Sequence, residues 1–249
     1  MKVKITIEGF DDIENENISN INTLHNKTIE QINHTTLKFF RLFSGLETDE
    51  VSKKNLYLRG YITAITNNFL ICKKLFIGGW HFQLQIILRT QFEQITNLLV
   101  MTFDDEFFEY FTTNKGNDQF LPFTPKQTHL NKAIKRIKIK NPEHGKVFEQ
   151  YIKEMQTAYE EFSASVHGNF LQTMLLSTHH DEKENINFSI GGSKQAYPRT
   201  ENYIRGVLNF SQLMLSAIER KLLDDGLLNF DNLGIEIDID SRIMYLDNI

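Results

Sequence analysis

Two charged side chains lie one helical turn apart inside a strongly apolar segment. The run from Trp80 to Met101 carries Arg89 and Glu93 between apolar stretches, and at about 3.6 residues per turn both fall on the same side of the helix. Such a helix belongs in the middle of a protein, where an isolated charge costs several kcal/mol. Arg89 and Glu93 are therefore predicted to be paired and hydrogen-bonded.

A second polar set lies on a later helix, which is predicted to begin at Pro142. Tyr159, Ser163 and His167 follow one another at four-residue intervals, at the edge of the apolar stripe of that helix. They therefore point toward the interior or its rim. Imidazole titrates near neutral pH, so His167 has the chemistry of a general acid or base.

The two helices would form one cluster if they pack together. In that cluster Glu93 would orient His167, and Arg89 would hold an anion. Arginine neutralises charge and histidine moves protons, which together suit phosphodiester cleavage or phosphate binding. The alternative is architectural, because the same pairs would cross-link helices and fix their packing. The candidate catalytic residues are His167, Arg89, Glu93, Ser163 and Tyr159.

Two short motifs resemble the paired motifs of an uncharacterised bacterial all-helical family. They are L-R-T-Q-F-E at residues 88–93 and S-A-S-V-H-G at residues 163–168, and the helix pattern is similar over residues 50–222. That family resembles the HEPN-like bundles of toxin–antitoxin and abortive-infection systems, many of which cleave RNA as dimers. HEPN ribonucleases carry Arg and His close together on one helix, whereas here they lie on different predicted helices. The resemblance implies a role in antiviral defence, action on RNA or nucleotides, and a homodimer.

A basic face follows on the helix predicted from Pro125 to Lys138. Leu130 and Ile134 belong to its narrow apolar stripe, and the remaining surface is basic. The candidate nucleic-acid-binding residues are Lys132, Lys135, Arg136, Lys138 and Lys140. Such a face suits a phosphate backbone, with binding that weakens as salt rises, or it is simply a solvated helix surface. The second functional hypothesis is accordingly a non-catalytic module that binds nucleic acid or a partner protein.

Helical periodicity dominates the chain between its two ends. The predicted fold is mainly α, an up-and-down helical bundle around a central buried helix, with a small β element from the termini. Residues 2–8 and 235–240 alternate apolar with charged side chains and are predicted to pair as strands, or to dock separately. Residues 1–249 are predicted to form a single helical domain, with the loop 113–124 as its sub-boundary.

Composition narrows the classes of function. The net charge of −5 argues against a surface built throughout for nucleic acid or anionic membrane. No run reaches the roughly 18 apolar residues of a membrane span, so no membrane partner is expected. The single cysteine, Cys72, suits a reducing compartment, and the N-terminus lacks an apolar signal segment, so the chain is predicted to be cytoplasmic. No cofactor and no metal are expected, because no corresponding motif is present.

Overall fold

Seven α-helices make up most of the described chain. The computed structural model describes residues 15, 18, 19, 21, 24–46, 53–113, 127–166, 178–180, 186–188 and 197–230, with backbone alone at 127, 144, 158, 161–166 and the two strands. The helices are α1 (Asn26–Gly45), α2 (Lys53–Ile77), α3 (His81–Phe103), α4 (Asp105–Thr113), α5 (Gln127–Lys140), α6 (Pro142–Val166) and α7 (Tyr197–Asp224). Strands β1 (Thr178–His180) and β2 (Ile186–Phe188) form an antiparallel hairpin.

Helix α3 is the centre of the bundle. It packs against α2, α4, α5, α6 and α7, and every residue from Ile95 to Phe103 is buried. A helix that is apolar on all sides reaches this state only when other helices surround it. The prediction of a mainly α bundle around a central buried helix is confirmed. Trp80, the first residue of the apolar run predicted to be central, is 38% exposed because it belongs to the turn that precedes α3.

A tight turn sets α2 and α3 side by side. Gly79 has φ of 76°, a left-handed conformation that glycine adopts without steric cost. Along the pair, Gln91 donates from Nε2 to the carbonyl of Ile65 at 3.1 Å, and Asn97 hydrogen-bonds to Tyr61. Because the later residue of α3 meets the earlier residue of α2, the helices are antiparallel, as the short connection predicts.

The ends of α1 and α7 lie together on another side of the molecule. Gly226, with φ of 67°, ends α7, and Leu228 then forms an antiparallel bridge with Leu46. The N–H of Asn229 donates to the carbonyl of Gly45 at 2.8 Å. These contacts, together with the packing of α1 on α7, hold the first and last described helices against each other.

Some sequence predictions fall outside the described residues. These are the terminal strands 2–8 and 235–240 and nearly all of the loop 113–124, so the terminal sheet and the sub-boundary stay predictions. Ser19 is helical, the helical backbone is interrupted at His25, and α1 begins at Asn26. Of the helices described, none combines the length and apolar character that crossing a bilayer requires.

Candidate functional site

Arg89, Glu93 and Tyr159 meet at the contact between α3 and α6. The Tyr159 hydroxyl donates to Glu93 Oε1 at 2.5 Å, and Arg89 Nε donates to the same oxygen at 3.2 Å. Arg89 Nη2 also donates to the Tyr159 oxygen at 3.2 Å, with the guanidinium carbon 5.2 Å from the centre of the ring. Three of the five candidate catalytic residues therefore form one closed hydrogen-bonded triangle.

Burial differs between the two charged members of this triangle. The Glu93 side chain is 7% exposed, whereas the Arg89 side chain is 22% exposed and reaches toward the surface. Partial burial lowers the pKa of the Arg89 guanidinium, but Tyr159 and Glu93 outweigh this and raise it above its ordinary value. Arg89 is therefore a cation at any physiological pH. Since a guanidinium has about five N–H donors, the two used here leave others for an anion.

Aromatic packing fixes the position of Tyr159. Its ring lies 5.5 Å from Phe92, which in turn lies 4.9 Å from Phe210 of α7. Phe92 and Phe210 are buried, so α3, α6 and α7 share one apolar wall behind the triangle. This wall explains why a tyrosine at the edge of the α6 stripe brings its hydroxyl to Glu93.

The two remaining candidates are not tested by these contacts. Ser163 belongs to α6, where the structure describes its backbone alone, and His167 lies outside the described residues. The approach of α6 to Arg89 and Glu93 is thus established at Tyr159. The contribution of Ser163 and His167 stays a prediction.

Glu93 also lines a groove between α2 and α3. The groove has a volume of about 600 Å³. Its walls are formed by Leu56, Tyr57, Gly60, Tyr61 and Ala64 of α2 and by Thr90, Glu93, Gln94 and Asn97 of α3. Pockets for small ligands are commonly about 300–1,000 Å³ and mainly apolar with a few polar groups, which describes this groove. The groove arises from the spacing between two helices, which leaves no pattern in the sequence of either one.

Two tyrosines give the groove an aromatic side. Tyr57 packs edge-to-face on Phe108 and Tyr61 on Phe111, with ring centres 5.8 and 5.9 Å apart. Burial raises the pKa of Tyr61 to about 12, against the opposing effect of its hydrogen bond with Asn97. The Tyr61 hydroxyl therefore stays protonated and keeps its ability to donate.

The basic residues of α5 have acidic neighbours. Lys132 pairs with Glu106 at 2.6 Å, Lys138 pairs with Glu149, and Lys140 pairs with Asp224. Lys135 and Arg136 are exposed. Exposed ion pairs contribute at most about 1 kcal/mol, so the paired lysines can still exchange partners. Three of the five basic residues predicted to bind nucleic acid are thus in ion pairs, which leaves a smaller unpaired cationic surface than the sequence alone indicates.

A histidine and a glutamate that the sequence did not single out meet at the start of α1 and α7. His25 Nδ1 lies 3.0 Å from Glu201 Oε2. Thr28 donates to the other oxygen, Oε1, which also accepts from Arg205 Nη2 at 2.9 Å. Burial raises the pKa of Glu201, but Thr28, Arg205 and His25 outweigh it and lower the pKa below its ordinary value. No local pattern could reveal this contact, since the partners are far apart in a polar sequence.

His81 lies beside this cluster in an apolar setting. Its ring packs at 84° on Tyr197 with centres 4.2 Å apart, and neither ring nitrogen has a hydrogen-bond partner among the described residues. Burial, with a smaller contribution from His25, lowers the pKa of His81 to about 4. A neutral imidazole held against an aromatic ring contributes to the packing between helices α3 and α7.

The described residues of the site include no recognisable metal centre. Among the described residues, no group of three His, Cys, Asp or Glu side chains is arranged to hold a metal ion. No family model, curated protein or solved structure matches the chain.

Proposed function

We propose that this chain is a HEPN-like protein of the defence or toxin type that acts on RNA or nucleotides. The observation that carries the proposal is the triangle of Arg89, Glu93 and Tyr159 beside a groove of ligand size. A partly exposed arginine held in place by a carboxylate and a phenol is a fixed binding point for a phosphate. Because Glu93 belongs to both the triangle and the groove, one substrate can contact both.

The proposed division of roles follows from the chemistry of each group. Arg89 anchors the phosphate, and Glu93 and Tyr159 hold the guanidinium in one orientation. His167, which directly follows α6, transfers the proton, and Ser163 orients it. A fixed cation that offsets the charge developing on phosphate oxygens accelerates phosphodiester cleavage, and proton transfer contributes about 100-fold to 10,000-fold more.

The experiment that tests this function substitutes His167 with alanine. We expect His167→Ala to lower RNA cleavage, or toxicity on expression, at least about 100-fold while the melting temperature stays nearly unchanged. Lys153→Ala, at an exposed position of α6, is the control and should leave activity unchanged. A large drop in melting temperature for His167→Ala would instead assign the residue to the architecture of the bundle.

The second candidate function is a non-catalytic module that binds nucleic acid or an acidic partner through α5. It is favoured by the exposure of Lys135 and Arg136, for which no ion pair is found among the described residues. For such a module, the wild-type chain should bind labelled RNA without cleaving it, and a Lys135→Glu, Arg136→Glu variant should lose that binding. Binding that resists moderate salt would count against this function, because phosphate contacts by Lys and Arg are salt-sensitive.

A further inference from the structure

We propose that the groove between α2 and α3 binds a nucleobase that carries an exocyclic amino group. This inference rests on the proposed action on RNA or nucleotides and names the part of the substrate that the groove recognises. Three observations carry it: the aromatic side of the groove, the unused oxygen of Glu93, and the open space in front of a helical glycine.

The shape and lining of the groove suit a flat ring. A single base stacks on aromatic side chains with a stabilisation of about 1–3 kcal/mol, and recognition of unpaired bases commonly uses this contact. Tyr57 and Tyr61 are the aromatic residues of the groove, and their contacts with Phe108 and Phe111 of α4 hold the rings from behind. A preorganised aromatic side reduces the entropy lost when a ligand binds.

The polar groups of the groove offer an acceptor beside a donor. Glu93 uses only Oε1 for Arg89 and Tyr159, and its Oε2 accepts no hydrogen bond among the described residues. Gln94, the next residue, accepts from Asn68 through Oε1 at 2.9 Å, which leaves its amide N–H groups to donate. An N–H of a base would pair with Glu93 Oε2, and a ring nitrogen or carbonyl of the base with the Gln94 amide.

The carboxylate selects for an amino group. Glutamate accepts from the N4 amino group of cytosine, whereas a carbonyl oxygen at the same ring position, as in uracil, would place two acceptors against each other. Glu93 is nearly buried, so an unpaired carboxylate oxygen facing uracil would be poorly solvated. Cytosine over uracil, and adenine over hypoxanthine, are the expected preferences.

Gly60 keeps the groove open. Gly60 is an exposed residue within the length of α2, and a Cβ added there meets no atom within 4 Å. Glycine inside a helix costs up to about 1 kcal/mol relative to alanine, so a larger residue at this position would favour the helix. Gly60→Leu therefore obstructs the groove without threatening the fold.

The experiment measures binding of cytidine and uridine 5′-monophosphate by calorimetry. We expect the wild-type chain to bind cytidine monophosphate at least about tenfold more tightly, which corresponds to about 1.4 kcal/mol. Gly60→Leu should abolish the binding of both nucleotides. Thr63→Leu, which adds the same side chain at an exposed position of α2, should bind as the wild type does.

The outcomes separate this inference from the proposed function. Equal affinity for the two nucleotides, no binding, or binding that survives Gly60→Leu would overturn the groove assignment. RNA cleavage that persists in Gly60→Leu but fails in His167→Ala would overturn it too, while leaving the proposed function standing. Selective cytidine monophosphate binding in a chain with no RNA activity would support the groove and remove the catalytic function.

Discussion

Two glutamates of the bundle, Glu201 and Glu93, differ in how their carboxylate oxygens are used. In Glu201 both oxygens have partners within the protein, from Thr28, Arg205 and His25. In Glu93, Oε1 accepts from Arg89 and Tyr159, Oε2 accepts no hydrogen bond among the described residues, and the side chain lines the groove. A carboxylate whose hydrogen bonds are complete serves the architecture, whereas one with a free oxygen beside a cavity is suited to bind a ligand.

The architectural role of Glu201 predicts a pH dependence of stability. The pKa of Glu201 is lowered in the folded state, so its contribution is present at pH above the ordinary value of 4.5 and is lost as pH falls through the folded-state pKa. Glu201→Gln should therefore lower the free energy of unfolding by about 1–2 kcal/mol at neutral pH. The difference from the wild type should shrink below pH 4.5.

Urea unfolding at several pH values measures this effect. Glu30→Gln, an exposed carboxylate on α1, is the control and should change stability by less than about 0.5 kcal/mol at each pH. A Glu201→Gln difference that stays constant down to acid pH would show that the ionised form is not what stabilises the contact between α1 and α7.

At the scale of elements, one aspartate joins three helices. Asp104 separates α3 from α4, and its Oδ1 accepts from the backbone N–H of Glu106 at 3.2 Å and of Phe107 at 3.5 Å. Its Oδ2 lies 2.8 Å from Nδ1 of His129 on α5. The hydrogen bonds of Oδ1 cap the start of α4. The contact of Oδ2 with His129 holds α5 near the end of the central helix α3.

Substitutions at Asp104 should separate these two roles. Asp104→Ala removes both the helix cap and the contact with His129, so we expect a loss of about 2–4 kcal/mol in the free energy of unfolding. Asp104→Asn retains an oxygen for the cap and should lose only about half as much. Chemical denaturation measures both values, and equal losses in the two variants would contradict the separate roles.

A helix could be predicted from the sequence where apolar residues recur regularly along one of its faces. Helices α2, α3 and α7 show regular apolar spacing, and their inward residues, such as Ile62, Leu98 and Phe210, are buried. The start of α1 could not be placed, because the break at His25 follows from tertiary contacts with Glu201 and Tyr197 rather than from a capping residue. Local patterns define helices, and distant contacts set where they end.

The candidate site was only partly predictable for the same reason. The pairing of Arg89 with Glu93 follows from two charges in an apolar helix, which local sequence reveals. The groove depends on the distance between α2 and α3, and the contact of His25 with Glu201 joins helices from opposite parts of the chain. Neither the groove nor this contact leaves a periodic pattern in the sequence, so neither could be predicted from it.

At the scale of the whole molecule, the bundle is organised around a single helix. Helices α2, α4, α5, α6 and α7 each pack on α3, while α1 packs on α2 and α7. Any opening that exposes the second half of α3 must separate several of these helices at once. The free energy of opening for α3 should therefore equal the free energy of unfolding of the entire described bundle. Helices α1 and α5 can open with fewer contacts broken.

Native-state hydrogen exchange tests this hierarchy. Amides of α3 between Ile95 and Met101 should exchange most slowly, with an opening free energy equal to that of global unfolding. Leu98→Ala, at a fully buried position, should lower that value by about 2–5 kcal/mol in α3 and α7 alike. Leu70→Ala, at a position that is 46% exposed, is the control and should leave it nearly unchanged. If α1 were protected more strongly than α3, the central helix would not be the last element to open.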